Sequence, residues 1–460
     1  MSLRFLQLPL SAFHVTRHGD KGCVLPRNSS RNFGFEHRKF LRTAACASSP
    51  ISGSPAGHPE QWLEEKKPGK KIAGVDQEDL LDPRLLADPD SCFCEFEGIK
   101  LHYKVCDAAG SQARSLSEDR TAPQLSEQIN KLGFPMILLH GFGASVFSWH
   151  QVMKPLAQNT GTKVLGFDRP AFGLSSREGR SSSFKKDTAV NPYSMAFSVL
   201  ATLYLIHFLG GQKAILVGHS AGSLVALNSY FEAPERVAAL ILVAPALLAP
   251  LIILRNVEGQ DPQRDNNMTL FKMFSNFWKS ILHAIMQLVK GMGNMLGSLY
   301  KRLVSFILRS SFGVVVVRMV IDKFGVAAIR NAWYDSSKVT DDVLNGYTKP
   351  LRTKGWDRAL VEYTAALLTD SGSESKPPLA ERLREISCPV LIITGDNDRL
   401  VPSWNSKRLW KAIPGSHLKV IEHCGHLPQE ERPEVFVEAV LKFLLVAFAD
   451  LKGQPVPAGP

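Results

Sequence analysis

The sequence predicts an α/β protein in which a mostly parallel, eight-stranded sheet is flanked by helices. Two observations carry this prediction. Short apolar runs, typical of strands buried on both faces, alternate with longer stretches in which apolar residues recur at helical spacing. Most of the short runs also end in a turn that carries polar residues, and open parallel sheets bind their ligands at such strand ends.

The predicted sheet begins with an antiparallel hairpin over Phe96–Val105, where apolar and polar residues alternate around a glycine. A closing helix is predicted over Pro433–Ala449, because its apolar residues fall on one helical face. Between them we expect six buried strands, each a short apolar run: Met136–Leu139, Val164–Phe167, Ala214–Val217, Ala239–Val243, Val390–Thr394 and Leu418–Ile421.

A long insertion separates the sixth and seventh strands of the predicted sheet. It covers residues 244–389, whereas a connection in such a protein usually needs only a few residues. The expected organisation is therefore a transit peptide (1–46), a flexible linker (47–92), the first part of the core (93–247), a helical lid (248–386), the second part of the core (387–450) and a flexible tail (451–460).

The basic residues are concentrated in two segments. The chain has a net charge of +11, of which residues 1–50 carry +6 and residues 268–330 carry +8, so the remainder carries −3. Neither segment mixes arginine, aromatic residues and glycine in the way that base-stacking proteins do. Nucleic acid is therefore not expected as a partner.

The first basic segment has the composition of a transit peptide. It is rich in arginine, contains serine, is poor in acids and ends in a run of small residues over 42–48. A plastid is the expected destination. A mitochondrial leader shares the same composition. The remaining alternative is a disordered N-terminus that is not a targeting signal.

A candidate nucleophile lies at the turn after the fifth strand. Gly218-His219-Ser220-Ala221-Gly222 follows an apolar run and precedes a helix-compatible run. This is the G-x-S-x-G pattern, in which small residues flank a serine on a strained turn that exposes its hydroxyl. The pattern predicts Ser220 as nucleophile, and the amide of Ala221 as one donor to an oxyanion.

A second oxyanion donor is expected from the loop after the third strand. His140-Gly141-Phe142-Gly143 follows Met136–Leu139, and its glycines let the backbone approach a substrate closely. The Phe142 amide is the predicted donor. His140 could instead be a catalytic base, but we interpret it as a structural loop residue because a better placed histidine follows downstream.

The acid and the base are expected after the last two strands. Asp396 and Asp398 both follow Val390–Thr394, and we choose Asp398 because Asp396 is close enough to the strand end to cap a turn. His423 and His426 both follow the final strand. We choose His426, which comes after Gly425, as the base.

With the order nucleophile, acid, histidine and an upstream oxyanion loop, the sequence resembles the α/β-hydrolase superfamily over roughly residues 94–450. The loop Asp168–Ser175 and Gly425-His426-Leu427-Pro428 also match its pattern, with Ala171 where many relatives carry glycine. Together with its leader the chain resembles an uncharacterised plant plastid group of that superfamily. The resemblance implies Ser220, Asp398 and His426 as the triad and the Phe142 and Ala221 amides as the oxyanion hole.

The predicted reaction is hydrolysis of a carboxylic ester through an acyl-enzyme, with no metal and no organic cofactor. Serine at the elbow argues against the epoxide hydrolases and haloalkane dehalogenases of the superfamily, which the resemblance says carry aspartate there. The alternatives are a thioesterase or acyltransferase with the same triad, and a ligand-sensing protein that hydrolyses slowly.

The lid is expected to favour a lipophilic substrate. Within it, residues 270–289 place aromatic and aliphatic side chains on one helical face and lysines on the other. A basic amphipathic helix can lie on an anionic membrane, so peripheral membrane contact through 268–330 is one expectation. The alternative is that the aromatic stripe packs against the core.

Overall fold

The computed structural model describes residues 71–107, 133–177, 190–248, 294–370 and 378–449. The chain separates into two units, Met1–Pro68 and Gly69–Pro460, and every described residue belongs to the second. The expected leader, the tail and the amphipathic segment 270–289 therefore lie outside the described residues.

The described part of the chain opens with a small antiparallel hairpin formed by β1 (Lys71–Ile72) and β2 (Val75–Asp76). Ile72 is 2% exposed, and Gln77 Oε1 accepts a hydrogen bond from Trp356 Nε1 at 2.9 Å. The expectation of a flexible linker over 47–92 is thus corrected from residue 71 onward. Two-residue strands are too short to show a period, so the polar composition of this stretch concealed them.

The main sheet has eight strands and confirms the predicted fold class. Its order is β10-β9-β8-β7-β5-β6-β4-β3; β4 runs antiparallel to both of its neighbours, β3 and β6, and the other pairs of neighbours are parallel. The six parallel strands end at one common edge of the sheet. The strands are β3 (Cys92–Phe96), β4 (Ile99–Cys106), β5 (Met136–Leu139), β6 (Val164–Phe167), β7 (Ala214–His219), β8 (Val237–Val243), β9 (Val390–Gly395) and β10 (His417–Ile421).

The described residues also form helices between and after these strands. Ser194 caps the second of them by accepting a hydrogen bond from Phe197 N at 3.1 Å, as N-cap serines do. In chain order they are α1 (Met153–Thr160), α2 (Met195–Phe208), α3 (Ala221–Glu232), α4 (Asn294–Arg309), α5 (Ser311–Ala332), α6 (Asp341–Thr348), α7 (Trp356–Asp370), α8 (Ser403–Ala412), α9 (Pro428–Glu431) and α10 (Pro433–Ala447).

Helices cover both faces of the sheet. On one face, Leu205 of α2, Val225 of α3 and Leu409 of α8 belong to a single apolar cluster with the strands. On the other face, Leu156 of α1 and Phe436 of α10 belong to a second cluster. Burying a side chain of this size contributes about 1.5–3 kcal/mol each, which explains why the central strands are apolar on both sides.

Helices α4 to α7 lie between β8 and β9, the sixth and seventh strands of the main sheet. We call these four helices the insertion. Its place in the chain is the one predicted from the length of residues 244–389. A break separates α4 from α5, whose axes meet at 71°.

Candidate active site

Ser220 sits on a sharp turn between β7 and α3. Its backbone has φ 51° and ψ −117°, a combination that a residue with a side chain rarely adopts. The turn is held because Ser220 N donates to Val243 O on the neighbouring strand at 2.8 Å. The predicted strand, strained serine and helix therefore follow one another as the G-x-S-x-G pattern requires.

The glycines on either side of Ser220 are required by close backbone contacts. A Cβ on Gly222 would lie 2.1 Å from the Leu139 carbonyl oxygen, and a Cβ on Gly218 would lie 2.6 Å from the Gly222 carbonyl oxygen. Both distances are shorter than any van der Waals contact. Only glycine therefore lets α3 begin this close to the end of β5.

His426 and Asp398 form a buried pair at the ends of the last two strands. His426 Nδ1 lies 2.8 Å from Asp398 Oδ2, and the two residues are 5% and 6% exposed. The second carboxylate oxygen of Asp398 accepts hydrogen bonds from Leu400 N and Val401 N, both at 2.8 Å. Since a carboxylate can only accept, Nδ1 carries the proton and Nε2 is left with a lone pair.

The rival acid and the rival base lie elsewhere. Asp396 Oδ1 accepts a hydrogen bond from Cys424 N at 3.1 Å, so Asp396 joins two loops, whereas the carboxylate bonded to His426 Nδ1 is that of Asp398. His423 is exposed, and its ring packs 5.6 Å from that of Tyr334. The structure thus pairs the aspartate and the histidine that the sequence favoured.

His140 is a buried loop residue. Its Nδ1 donates to Gly141 O at 2.7 Å, and its Nε2 accepts from Arg169 N at 3.0 Å. Burial lowers the pKa of His140 to about 3, so the ring is neutral at physiological pH. His140 therefore joins the loop after β5 to the loop after β6.

The loop after β5 lies directly beside the serine. A Cβ on Gly141 would stand 3.2 Å from Ser220 Cβ and 3.0 Å from His219 Nδ1, which places the Gly141 backbone against the turn. Gly143 has a φ of 71° that favours glycine, and Phe142 between them is 55% exposed. The loop and the start of α3 thus approach Ser220 from two sides.

His219 links the serine turn to the histidine loop, a role that the sequence did not reveal. Its Nε2 donates to His426 O at 2.9 Å, and the two rings lie 4.8 Å apart. Burial holds the pKa of His219 well below its usual value, so the ring is neutral. Neighbouring turns from β7 and β10 are therefore joined immediately next to Ser220.

Ser220 and His426 line one cavity of about 370 Å³. Most of its other lining residues are apolar, and they come from both the core and the insertion. Arg177 is the only lining residue, among those described, with a permanent charge. The apolar lining includes Phe142, Phe172, Leu400, Val401 and Leu427 from the core and Ile321, Ala328, Ile329 and Leu360 from the insertion.

Another Ser–His–Asp chain lies among the described residues. His102 Nδ1 is 2.7 Å from Asp168 Oδ2, and His102 Nε2 is 2.8 Å from Ser91 Oγ. Asp168 also accepts hydrogen bonds from the amides of Val146 and Leu174, both at 2.7 Å. None of the three lines the cavity of Ser220, and we interpret this chain as structural support for the loop after β6.

The insertion contacts the histidine loop directly, which no local pattern predicted. His426 N donates to Ala332 O, the last residue of α5, at 2.7 Å. Glu431 accepts hydrogen bonds from Tyr334 N at 2.7 Å and from Gly425 N at 2.9 Å. The backbone on both sides of His426 is thus fixed partly by the insertion.

A second contact between the insertion and the core is buried beneath the cavity. Tyr347 Oη on α6 donates to Glu430 Oε1 on α9 at 2.5 Å. Burial raises the pKa of Glu430 to about 8. Glu430 and Glu431 lie shortly after the histidine motif, and these two adjacent acids were the signal available in the sequence.

Comparison with known proteins identifies the fold family. The family model for the alpha/beta hydrolase fold matches residues 135–433. The chain is 23% identical over 314 residues to the uncharacterized hydrolase YugF of Bacillus subtilis, covering 67% of this chain and 89% of that one. It is 25% identical over 348 residues to a 2-hydroxy-6-oxononadienedioate/2-hydroxy-6-oxononatrienedioate hydrolase of Klebsiella pneumoniae, covering 72% and 95%.

A solved hydrolase from Pseudomonas aeruginosa superposes with a TM-score of 0.47 at 19% identity, covering 77% of this chain and 98% of that one. The family model spans well over half of the chain and includes Ser220, Asp398 and His426. The chain therefore belongs to the α/β-hydrolase fold family, and hydrolases are among its relatives.

Proposed function

We propose that the protein is a serine hydrolase that cleaves carboxylic esters of lipophilic molecules. One observation carries the proposal: Ser220, on its strained turn, lines the same apolar cavity as His426, and His426 Nδ1 lies 2.8 Å from Asp398 Oδ2. A nucleophile beside a base that a third group orients is the arrangement that acyl transfer requires.

In the proposed reaction His426 Nε2 takes the proton of the Ser220 hydroxyl as its oxygen attacks the acyl carbonyl carbon. Asp398 stabilises the resulting imidazolium and keeps the ring in the correct tautomer. His426 then protonates the leaving alcohol oxygen as the ester bond breaks. A water molecule releases the acyl group by the same steps, with His426 again as base.

The Phe142 and Ala221 amides are proposed as donors to the alkoxide that forms during attack. Support comes from the position of the Gly141 backbone against Ser220 and from the start of α3 at Ala221. Losing one such donor typically costs roughly two to three orders of magnitude in rate.

The cavity supports a lipophilic acyl or alcohol group. Apolar side chains from the core and from the insertion surround a volume of about 370 Å³, which suits a small to medium-sized ligand. A chain of methylene groups buried there gains about 0.8 kcal/mol per group. Long acyl esters are therefore expected to bind more tightly than acetates.

Arg177 favours a second candidate, a hydrolase of substrates that carry a carboxylate. Its side chain lines the cavity and donates to the carbonyls of Pro350 and Gly173, and its buried Nε has no partner among the residues that the structure describes. Burial lowers the pKa of Arg177 to about 10, so it stays charged at neutral pH. The dienedioate named for the Klebsiella relative is a dicarboxylate, which a cation of this kind could bind.

A fluorophosphonate probe tests the nucleophile. Wild-type protein is expected to become covalently labelled and to turn over an acyl ester, whereas Ser220→Ala should do neither. Ser406→Ala is the matched control, because the Ser406 hydroxyl is buried, has no partner in the described part of the chain and lies outside the cavity. Folded wild-type protein that takes no label would overturn the proposal.

A substrate panel separates the candidates. Oxygen esters of increasing chain length, the matching thioesters, an alcohol acceptor and a dienedioate should be compared with Ser220→Ala as background. The proposal expects the highest kcat/KM for the oxygen esters. Faster cleavage of the dienedioate, lost in Arg177→Met, would favour the second candidate, and faster thioester cleavage or acyl transfer would favour a thioesterase or acyltransferase.

A further inference from the structure

The bend between α4 and α5 exposes a cluster of large apolar side chains. Phe306 is 75% exposed and Phe312 is 66% exposed, although both are residues that proteins usually bury. Four more apolar side chains on the two helices are exposed as well. The cluster consists of Leu303, Phe306, Ile307, Phe312, Val315 and Met319, each at least 44% exposed. We call these six residues the bend surface.

The flanks of the bend surface are basic. Lys301 and Arg302 on α4 and Lys323 and Arg330 on α5 are all exposed. Residues 266–321 contain no aspartate or glutamate, and Asp322 is the only acid in residues 268–330. Arg309 and Arg318 pair with acids of α7, whereas Lys301, Arg302, Lys323 and Arg330 are exposed. An exposed apolar cluster flanked by exposed cations is complementary to a surface that is apolar in its interior and negatively charged on its outside.

We propose that the bend surface docks on an anionic lipid bilayer. The apolar side chains would enter the acyl region while Lys301, Arg302 and Lys323 contact lipid phosphates, as basic amphipathic helices do at interfaces. Residues 266–293, which precede α4 in the sequence, carry three lysines and no acid, so their charge has the same sign as that of the flanks of the bend surface. A bilayer with acidic headgroups complements both.

Helix α5 connects the docking surface to the cavity. One side of α5 faces solvent and carries Phe312, Val315 and Met319. Another side of α5 lines the cavity of Ser220 and carries Ile321, Gly325, Ala328, Ile329 and Ala332. Assuming the proposed ester hydrolysis, docking would put one wall of the cavity next to the lipid. This inference rests on the proposed function, and the substrates that it implies for the enzyme are acyl lipids of the bilayer.

Contacts with α7 and with the β1–β2 hairpin keep α5 from acting as an independent membrane segment. Arg318 Nε lies 2.7 Å from Asp357 Oδ2 on α7, and Asp322 Oδ1 accepts from Ala73 N in the β1–β2 hairpin at 2.9 Å. Among the described residues no single helix is long and apolar enough to cross a membrane, although the bent pair Tyr300–Arg309 and Ser311–Ala332 passes such a test by length and composition. With α5 held against α7, docking at the surface is the geometry that leaves the cavity intact.

Vesicle binding by the full-length protein tests the docking. The probes are vesicles of phosphatidylcholine alone and of equal parts phosphatidylcholine and phosphatidylglycerol, at low and at high salt. Wild type should co-sediment with the anionic vesicles at least about tenfold more strongly, and salt should reduce that difference. The double variant Phe306→Ser/Phe312→Ser should bind the anionic vesicles at least about tenfold more weakly.

The matched control is Leu85→Ser/Val446→Ser, which removes two apolar side chains that are 73% and 64% exposed outside the bend surface. It should bind vesicles as the wild type does. Ser220→Ala should also bind normally, so that failure of the catalytic proposal and failure of the docking proposal give different results.

Two outcomes would overturn the docking proposal. Equal vesicle binding by wild type and by Phe306→Ser/Phe312→Ser would remove the bend surface from that role. If size-exclusion chromatography instead showed that the wild type is a dimer, that the double variant is a monomer and that neither binds vesicles, the bend surface would be a contact between two copies of the chain.

Discussion

Ser220 holds a left-handed backbone conformation because its surroundings leave it no alternative. Its amide donates a hydrogen bond to β8, and the helix that follows begins at the next residue. Gly218 and Gly222 lack the Cβ atoms that would collide with nearby backbone. Strain of this kind costs of order 1–3 kcal/mol and persists only where the fold over-determines it. The buried sheet beneath the turn supplies that constraint.

The contact between Gly222 and β5 can be tested by substitution. Gly222→Ala would place a Cβ 2.1 Å from the Leu139 carbonyl oxygen and should cost about 3 kcal/mol of stability, with loss of probe labelling at Ser220. Gly210→Ala is the control, since Gly210 has a φ of 79° but open space around it, and should cost about 1 kcal/mol. Urea unfolding measures both, and equal costs would contradict the argument.

The two candidate aspartates should differ sharply in their effect on rate. Asp398→Asn should lower kcat/KM for an ester by roughly 10³–10⁴-fold, because the amide would no longer hold the reactive tautomer of His426. Asp396→Asn should change it by less than about tenfold, since Asp396 bonds to the Cys424 amide and not to His426. Steady-state kinetics with a soluble ester measures kcat/KM for both variants. A larger loss in Asp396→Asn than in Asp398→Asn would identify Asp396 as the acid.

At the scale of elements, the helices of the insertion are joined to one another by ion pairs of unequal burial. Arg318 and Asp357, on α5 and α7, form a pair in which the carboxylate side chain is 9% exposed. Arg309 and Glu362, on α4 and α7, form a pair whose side chains are 42% and 37% exposed. Burial decides how much each pair contributes, because water screens an exposed pair.

Breaking these two pairs gives the next prediction. Arg318→Met should lower the free energy of unfolding by about 2 kcal/mol, because it leaves the Asp357 carboxylate buried without its cation. Arg309→Met, the matched control, should lower it by less than about 1 kcal/mol. Thermal or urea unfolding compares the two variants. The view that burial sets the contribution fails if Arg309→Met proves the more damaging.

The buried contact between α6 and α9 predicts a pH dependence of stability. Glu430 has a folded pKa of about 8, above the 4.5 of the free side chain, so the folded state binds the extra proton. Stability must therefore fall as pH rises from about 4.5 to about 8, by up to about 1.4 kcal/mol per pH unit. Glu430→Gln, which cannot titrate, should lose this slope, whereas the exposed Glu438→Gln should retain it. Urea unfolding across that pH range tests the prediction.

At the scale of the whole molecule, most of the sheet could be predicted from sequence. The strands Met136–Leu139 and Val164–Phe167 occur with the predicted bounds, and the closing helix ends two residues before the predicted Ala449. Such runs can be recognised in the sequence because a strand buried on both faces must be apolar at every position. The turn of Ser220 could be recognised in the sequence because only a few residue types fit it.

The contacts between distant parts of the chain could not be predicted in the same way. The bond from His426 N to Ala332 O joins two backbone groups, and backbone groups leave no trace in residue identity. The β1–β2 hairpin was concealed by its short strands, and the role of His219 depends on a carbonyl oxygen more than 200 positions away. Local patterns reveal which residues can form an element, but not which carbonyl will face it.

The leader remains a proposal at this scale. Residues 1–46 are basic and rich in small residues, so a fluorescent reporter fused behind them should enter plastids, while the same reporter with the arginines of that segment changed to glutamine should stay outside. Fluorescence microscopy in plant cells reads the result. Accumulation in mitochondria would instead favour the alternative address.

The bond between His426 and Ala332 has a consequence for protein engineering. Grafting the insertion of another hydrolase onto this core would exchange the wall of the cavity, and it would also replace the carbonyl that positions the loop of His426. Under the proposed function, a change of the insertion is therefore expected to alter specificity and turnover together. A chimera should keep residues 332–334 of this protein, so that the backbone that positions the His426 loop is unchanged when the rest of the cavity wall is replaced.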